Sequence, residues 1–237
     1  MPQAAPSDAP STILIIGASR GLGLAMAVEF LKKKWNVVGT VRGKTRTLLH
    51  DLADKFEGRV EIEILDISEP DQLAALREKL SGRVLDILFV NAGVTNNKAE
   101  TPGDVTTDEF VRVMVTNALS PMRVLESLKK YVPATGLIGV MSSGLGSITN
   151  NVTGTREVYR SSKAALNMFM RSFAARHSAT SRAMVVMAPG WVRTDLGGPD
   201  APLTIEDSVP NLVNVLLSKQ GKPGLEYLDY LGRTVPW

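Results

Sequence analysis

Apolar residues follow two alternating patterns along the chain. Short runs rich in Val, Ile and Leu occur at Ile13–Ile16, Asn36–Val41, Val60–Leu65, Asp86–Val90, Leu137–Met141 and Met184–Met187, with a last one near Leu225–Tyr230. Between them, apolar residues recur at helical spacing over about 22–34, 45–56, 70–80, 107–131, 155–178 and 205–218, and this spacing predicts helices there. The early strands are continuously apolar, as expected of strands covered on both faces. Strands that alternate with helices build right-handed βαβ units. The predicted fold is therefore α/β, a doubly wound parallel sheet of about seven strands with helices on both faces. No repeat or low-complexity linker divides the chain. Residues 1–10, MPQAAPSDAP, read as a flexible tail, and 11–237 as a single domain.

Composition narrows the function. A chain of 237 residues, 44% hydrophobic and 22% charged, suits one well-buried soluble domain. It has no apolar run of the roughly 18 residues a membrane span needs, and the tail lacks the apolar core of a secretory signal, so the cytoplasm is the expected location. Cysteine is absent, which excludes disulfides and a thiolate nucleophile. The two histidines, His50 and His177, are far apart, so neither a metal site nor a Ser-His-Asp triad is expected. Net charge is +3, from 27 basic and 24 acidic residues. With no basic stripe interleaved with aromatics, nucleic acid is not an expected partner.

After the first strand comes Gly17-Ala18-Ser19-Arg20-Gly21-Leu22-Gly23, and then a helical run. A strand, a glycine turn and a helix N-terminus aim free N–H groups and a helix dipole at one spot, which suits a pyrophosphate. This is the Rossmann-type arrangement, although the spacing is G-x-x-x-G-x-G. A tight turn without a ligand is the alternative. An NAD site would usually place a carboxylate at the end of the second strand. Here the sequence is Thr40-Val41-Arg42-Gly43-Lys44. Arg42 and Arg20 suit a 2′-phosphate and favour NADP(H) over NAD(H), unless both are solvated surface arginines.

Tyr159, Lys163, Leu166, Met170 and Phe173 follow helical 4-3-4-3 spacing and form one face, which its large hydrophobes turn inward. A lysine on such a face must either meet a polar partner or snorkel at the core edge.

Taken together, GASRGLG, VNAG at 90–93, Asn117, Ser142-Ser143, YRSSK at 159–163 and PGWVRT at 189–194 resemble the short-chain dehydrogenase/reductase family in order and spacing. The resemblance covers nearly the whole chain after the tail. PGWVRTDLGGPDAPL and LDYLGRTVPW look closest to the branch of C-factor and the sniffer-like carbonyl reductases.

The resemblance implies a catalytic set of Ser143, Tyr159, Lys163 and Asn117. Tyr159 would be the acid/base, and Lys163 its activator and a ligand of the nicotinamide ribose. Ser143 would hold the substrate carbonyl, chosen over Ser142 because Gly146 follows it by three residues. Asn117 would kink its helix within a proton relay. For the cofactor it implies Gly17, Ser19, Arg20, Gly21, Leu22, Gly23 and Arg42. Asp66 and Ile67 would lie at the adenine, and Asn91, Ala92 and Gly93 at the adenosine ribose. Pro189, Gly190, Val192 and Thr194 would border the nicotinamide.

The expected reaction is reduction of a ketone or aldehyde with NADPH. Free tyrosine has a pKa near ~10. A lysine cation one turn away favours phenolate, which brings the group toward general acid–base use. The partners implied are a small carbonyl or alcohol and further copies of this chain, as a homodimer or homotetramer. A signalling or sensor role on the same fold is the alternative. Epimerases and enoyl reductases fit the chain length and the Tyr–Lys spacing less well.

Three departures stand out: Ile16 replaces a usual loop hydroxyl, Val90 replaces an asparagine, and the Ser143–Tyr159 interval is lengthened by SITNNVTGTRE. The stretch 194–210 reads as a mobile lid or an ordinary connection. It offers no obvious charge to grip an anion, which favours a neutral substrate.

Overall fold

The computed structural model describes residues 10–237, so the tail at 1–9 lies outside the described residues. Seven strands form one sheet: β1 (Thr12–Ile16), β2 (Asn36–Val41), β3 (Val60–Ile64), β4 (Ile87–Val90), β5 (Leu137–Met141), β6 (Ala183–Ala188) and β7 (Gly224–Asp229). Their order is β3-β2-β1-β4-β5-β6-β7, and every neighbouring pair is parallel. The helices are α1 (Gly21–Lys32), α2 (Leu48–Lys55), α3 (Pro70–Lys79), α4 (Thr107–Met114), α5 (Ser120–Leu128), α6 (Glu157–Arg176) and α7 (Ile205–Lys219).

Alternate strand residues feed two separate cores, because successive side chains leave opposite faces of a strand. Leu14, Ile16, Leu88, Val90, Ile138 and Val140 pack with residues of α3, α5 and α6. Ile13, Ile15, Ile87, Phe89, Val185 and Met187 pack with residues of α1, α2 and α7. Both faces are thus covered, as the apolar runs predicted.

The expected helix over 107–131 is interrupted. Residues Val115–Leu119 form a π-helical turn centred on Asn117, which separates α4 from α5. The cause is a side chain that competes for backbone groups outside the helix. The segment predicted at 45–56 begins later, at Leu48, because Thr47 caps it and its backbone N–H is taken by the His50 ring at 3.1 Å.

The topology positions the site. The chain runs outward from β1 to β3 and then returns to β4 on the other side of β1. Ligands bind beyond the carboxyl ends of strands at such a switch point. Ile16 and Val90 are register partners, so Gly17 and Asn91 emerge side by side. Gly23 packs where no side chain fits: a Cβ there would stand 2.0 Å from the Gly17 carbonyl oxygen and 2.6 Å from Asn91 Nδ2. Gly43, by contrast, has nothing within 4 Å. Gly23→Ala should therefore lower stability by at least about 1–3 kcal/mol, while Gly43→Ala should change it little. Thermal melting of the two variants makes the comparison.

Candidate active site

The glycine loop is held open by neighbours rather than by its own side chains. Gly17 adopts φ +88°. Its N–H donates to Thr40 Oγ1 at 2.8 Å, the Ala18 N–H donates to the Thr40 carbonyl at 2.9 Å, and Asn91 Nδ2 donates to the Gly17 carbonyl at 2.7 Å. Thr40 therefore supplies from β2 the hydroxyl that Ile16 does not provide. The only signal for it in the sequence is a lone hydroxyl inside the apolar run NVVGTV. The first turn of α1 has neither a side-chain cap nor an acidic residue, so its backbone donors face an opening suited to an anion.

Beside this loop, Ser19, Arg20, Arg42, Gly43, Thr45, Thr47 and Leu48 line a cavity of about 360 Å³. Arg42 has no carboxylate within ion-pair distance among the described residues, whereas Arg20 pairs with Asp195 at 3.2 Å. Arg46 turns away to Asp51 and Asp54. At the end of β3, Ser68 donates to the Asp66 carboxylate through Oγ at 2.6 Å and N–H at 3.0 Å. Those bonds, aided by the Arg42 charge, hold Asp66 below the usual carboxylate range. The Ile67 side chain is buried in the core.

The inward face of α6 is as the spacing predicted: Tyr159, Lys163, Leu166, Met170 and Phe173 are all buried. Lys163 meets a polar partner rather than snorkelling, since its Nζ donates to the Met141 carbonyl at 2.9 Å. It stands 5.9 Å from the Tyr159 ring centroid. A Cβ on Gly93 would lie 3.3 Å from both Lys163 Nζ and Asn117 Oδ1, so a side chain there would crowd both groups. Burial pushes the Tyr159 hydroxyl above its usual value, while the Arg156 charge and the neighbouring Ser143 hydroxyl pull it back. Burial alone lowers the Lys163 ammonium to about 8.

Asn117 is fully buried and clamps the loop after β4 by two bonds of 2.8 Å, one from the Val94 N–H and one to the Val94 carbonyl. Its Nδ2 also donates to Ser162 Oγ at 2.9 Å, and Ser162 donates to the Tyr159 carbonyl at 2.7 Å. The π turn is thereby tied to the backbone of α6. Ser142 and Ser143 diverge after β5. The Ser142 hydroxyl is buried on Asn167 Oδ1 at 2.7 Å, whereas Ser143 lies beside Tyr159. Tyr227 of β7 donates to the Ser143 carbonyl. Ser162, Asn167 and Tyr227 were not singled out from the sequence, because their partners come from elements distant in the chain.

Pro189 and Gly190 follow β6, and the Pro189 carbonyl accepts from Ser208 Oγ at 2.6 Å. Val192 bridges Leu203, and Thr194 Oγ1 accepts from the Gly197 N–H at 3.0 Å. The supposed lid is shorter than 194–210, since α7 begins at Ile205. Trp191 Nε1 and Lys98 Nζ both tie it down at the Gly197 carbonyl, at 2.9 and 3.2 Å. Among the described residues no His, Asp or Glu cluster could hold a metal ion.

Comparison with known proteins agrees with this geometry. The family model for short chain dehydrogenase matches residues 11–202. C-signal of Myxococcus xanthus is 36% identical over 155 residues, which cover 65% of this chain and 93% of that protein. A short-chain dehydrogenase/reductase of Burkholderia multivorans, solved with bound NADP, is 64% identical with a TM-score of 0.95, covering 97% of this chain and 100% of that one. A carbonyl reductase from Pseudomonas aeruginosa PAO1 in complex with NADP is 31% identical, with a TM-score of 0.90 and coverage of 97% and 100%. Both relatives of the resemblance, C-factor and carbonyl reductases, are therefore represented.

The buried Lys163 sets the pH dependence of stability. Its value in the folded protein, about 8, lies below that of the unfolded chain. The unfolded state thus binds more protons between about 8 and 10.5, and stability should rise with pH across that window. Below it, the buried charge costs roughly 3 kcal/mol. Without cofactor, Lys163→Met should melt higher than the parent protein at pH 7, and the gap should close as the pH approaches 10.5. A variant that melts lower at pH 7 would mean that the bond to the Met141 carbonyl outweighs desolvation.

Proposed function

The chain belongs to the short-chain dehydrogenase family, and on that premise we propose that it is an NADP(H)-dependent oxidoreductase that reduces a ketone or aldehyde to an alcohol. The observation that carries this reading is the meeting of Tyr159 and Lys163 of α6 with Ser143 after β5 and Asn117 of the π turn, three separate elements, beyond the carboxyl ends of the strands.

The residues fit a dinucleotide. At Gly17, whose φ is +88°, a Cβ would crowd Ala92 at 3.0 Å, so the turn carries no side chain where it passes the loop after β4. Gly17, Ser19, Gly21, Leu22 and Gly23 would hold the pyrophosphate, with Asn91, Ala92 and Gly93 at the adenosine ribose. Asp66 and Ile67 would lie at the adenine, and Pro189, Gly190, Val192 and Thr194 at the nicotinamide. Arg42, with no carboxylate partner, and Arg20 suit a 2′-phosphate through charge-assisted bonds. The NADP in the two structural relatives supports that choice. When bound, the cofactor supplies the hydride.

The protein's own part is the proton and the geometry. Tyr159, whose burial pushes its hydroxyl above the ordinary tyrosine value, donates its proton to the carbonyl oxygen. Ser143 donates a hydrogen bond to that oxygen as negative charge develops on it. Lys163 and Arg156 favour the phenolate left behind. Lys163 would also reach the nicotinamide ribose. Asn117 fixes the loop after β4 and, through Ser162, the backbone of Tyr159, and we place it in the proton relay.

Residues 11–237 then act as one catalytic domain. Exposed Met168 and Phe169 on α6 and Phe110 and Val111 on α4 support a homo-oligomer joined through these helices. A sensor role rests on the similarity to C-signal, but a sensor has no need of all four catalytic groups.

Purified protein should oxidise NADPH in the presence of a reducible aldehyde or ketone, and Tyr159→Phe should abolish this. Reduction should fall in alkaline solution as Tyr159 loses its proton, while the reverse oxidation rises. No NADPH-linked turnover across a broad carbonyl panel would favour the sensor reading. Arg42→Ala should raise the KM for NADPH roughly tenfold or more, the loss of one bond to a charged group, with little change for NADH. An equal effect on both cofactors would remove the 2′-phosphate assignment.

A further inference from the structure

One group at Tyr159 has a hydrogen-bonding capacity that the reduction of a simple ketone does not use. Arg156 immediately precedes α6 with φ 60° and ψ 41°, a left-handed conformation that most side chains avoid. From there its guanidinium carbon lies 4.9 Å from the Tyr159 ring centroid. Nη2 donates to Thr95 Oγ1 at 3.0 Å, on the loop after β4. Nε is buried without a hydrogen-bond partner.

Among the described residues, no carboxylate lies within ion-pair distance of Arg156, although Arg46, Arg83, Arg112, Arg176 and Arg233 each have one. The other charge facing Tyr159, Lys163, is engaged by the Met141 carbonyl, and Ser143 is neutral. A buried donor left unmet is costly. A guanidinium held over the ring of the reacting tyrosine presents a planar fork that matches a carboxylate.

We propose that Arg156 recognises an anionic group of the substrate, and that the enzyme reduces oxo acids, carbonyl compounds with a carboxylate near the carbonyl. The carbonyl oxygen lies at Tyr159 and Ser143, and the carboxylate on Arg156. This rests on the reductase reading above. The carbonyl carbon gains a hydride from the reduced nicotinamide dinucleotide and its oxygen gains the Tyr159 proton. The C=O double bond becomes a C–OH, the dinucleotide is oxidised, and the carboxylate is unchanged. The charge sought on the 194–210 segment comes instead from Arg156, beside α6.

The test compares 2-, 3- and 4-oxo acids with their neutral methyl esters, using NADPH. In parallel, benzoate is titrated into protein loaded with NADP. The expected result is a kcat/KM at least about tenfold higher for one of the acids than for its ester, carried mainly by KM. Arg156→Met should bring that ratio near one and weaken benzoate binding by a similar factor, and Arg156→Lys should restore part of both. Each variant is read on both members of a pair, so a general loss of folding or activity cancels. An ester preferred to its acid, or a ratio unchanged in Arg156→Met, overturns the proposal. If no carbonyl compound is turned over, the reductase reading fails by itself. Benzoate binding that depends on Arg156 would then still uphold the anion site, and its absence would overturn that too.

Discussion

The site is organised around a buried ammonium. Lys163 lies in the inner face of α6, where burial alone lowers its proton affinity to about 8, so its environment must offer oxygen atoms at fixed positions. The Met141 carbonyl at the end of β5 is one, and the Asn117 amide oxygen lies across the glycine at position 93. The bond to Met141 ties α6 to the end of β5, and Gly93 lets Lys163 and the π turn approach each other. A desolvated cation is a standing cost to the fold, and the proposed role in catalysis is a reason to retain it.

The other polar groups extend this arrangement outward. Asn117 gives up regular α-helical geometry to clamp Val94 and reach Ser162, and Ser162 holds the Tyr159 carbonyl. Tyr227, from the last strand, holds the Ser143 carbonyl. The segments that leave β4 and β5 are thus bonded to one helix, α6, the first of them through Asn117. Their rigidity comes from buried hydrogen bonds with little competing water. Arg156 departs from this economy, since it is brought to Tyr159 by an unfavourable backbone and left with an unmet donor.

The legibility of the site follows from the range of its interactions. The strands, the α6 stripe and the glycine loop are local patterns with periods of two, three or four residues, and they read directly. The choice of Ser143 over Ser142 rested on a spacing to Gly146, and the structure places Ser143 at Tyr159 and Ser142 on Asn167. Thr40, Ser162 and Tyr227 were not legible. Their roles depend on partners 23, 45 and 84 residues away, and nothing local separates them from other hydroxyls.

The amino-acid sequence by itself determined a doubly wound parallel sheet, a glycine turn between the first strand and helix, and an inward-facing Tyr–Lys pair, because hydrophobic periodicity and glycine spacing act over a few residues. Only the tertiary structure decided that Thr40 replaces the missing loop hydroxyl, that 107–131 breaks at Asn117, and that Arg156 rather than the 194–210 segment brings charge to the cleft. Each of these is set by which groups meet across the sheet once it folds, and pairing over such distances leaves no periodic trace in the chain.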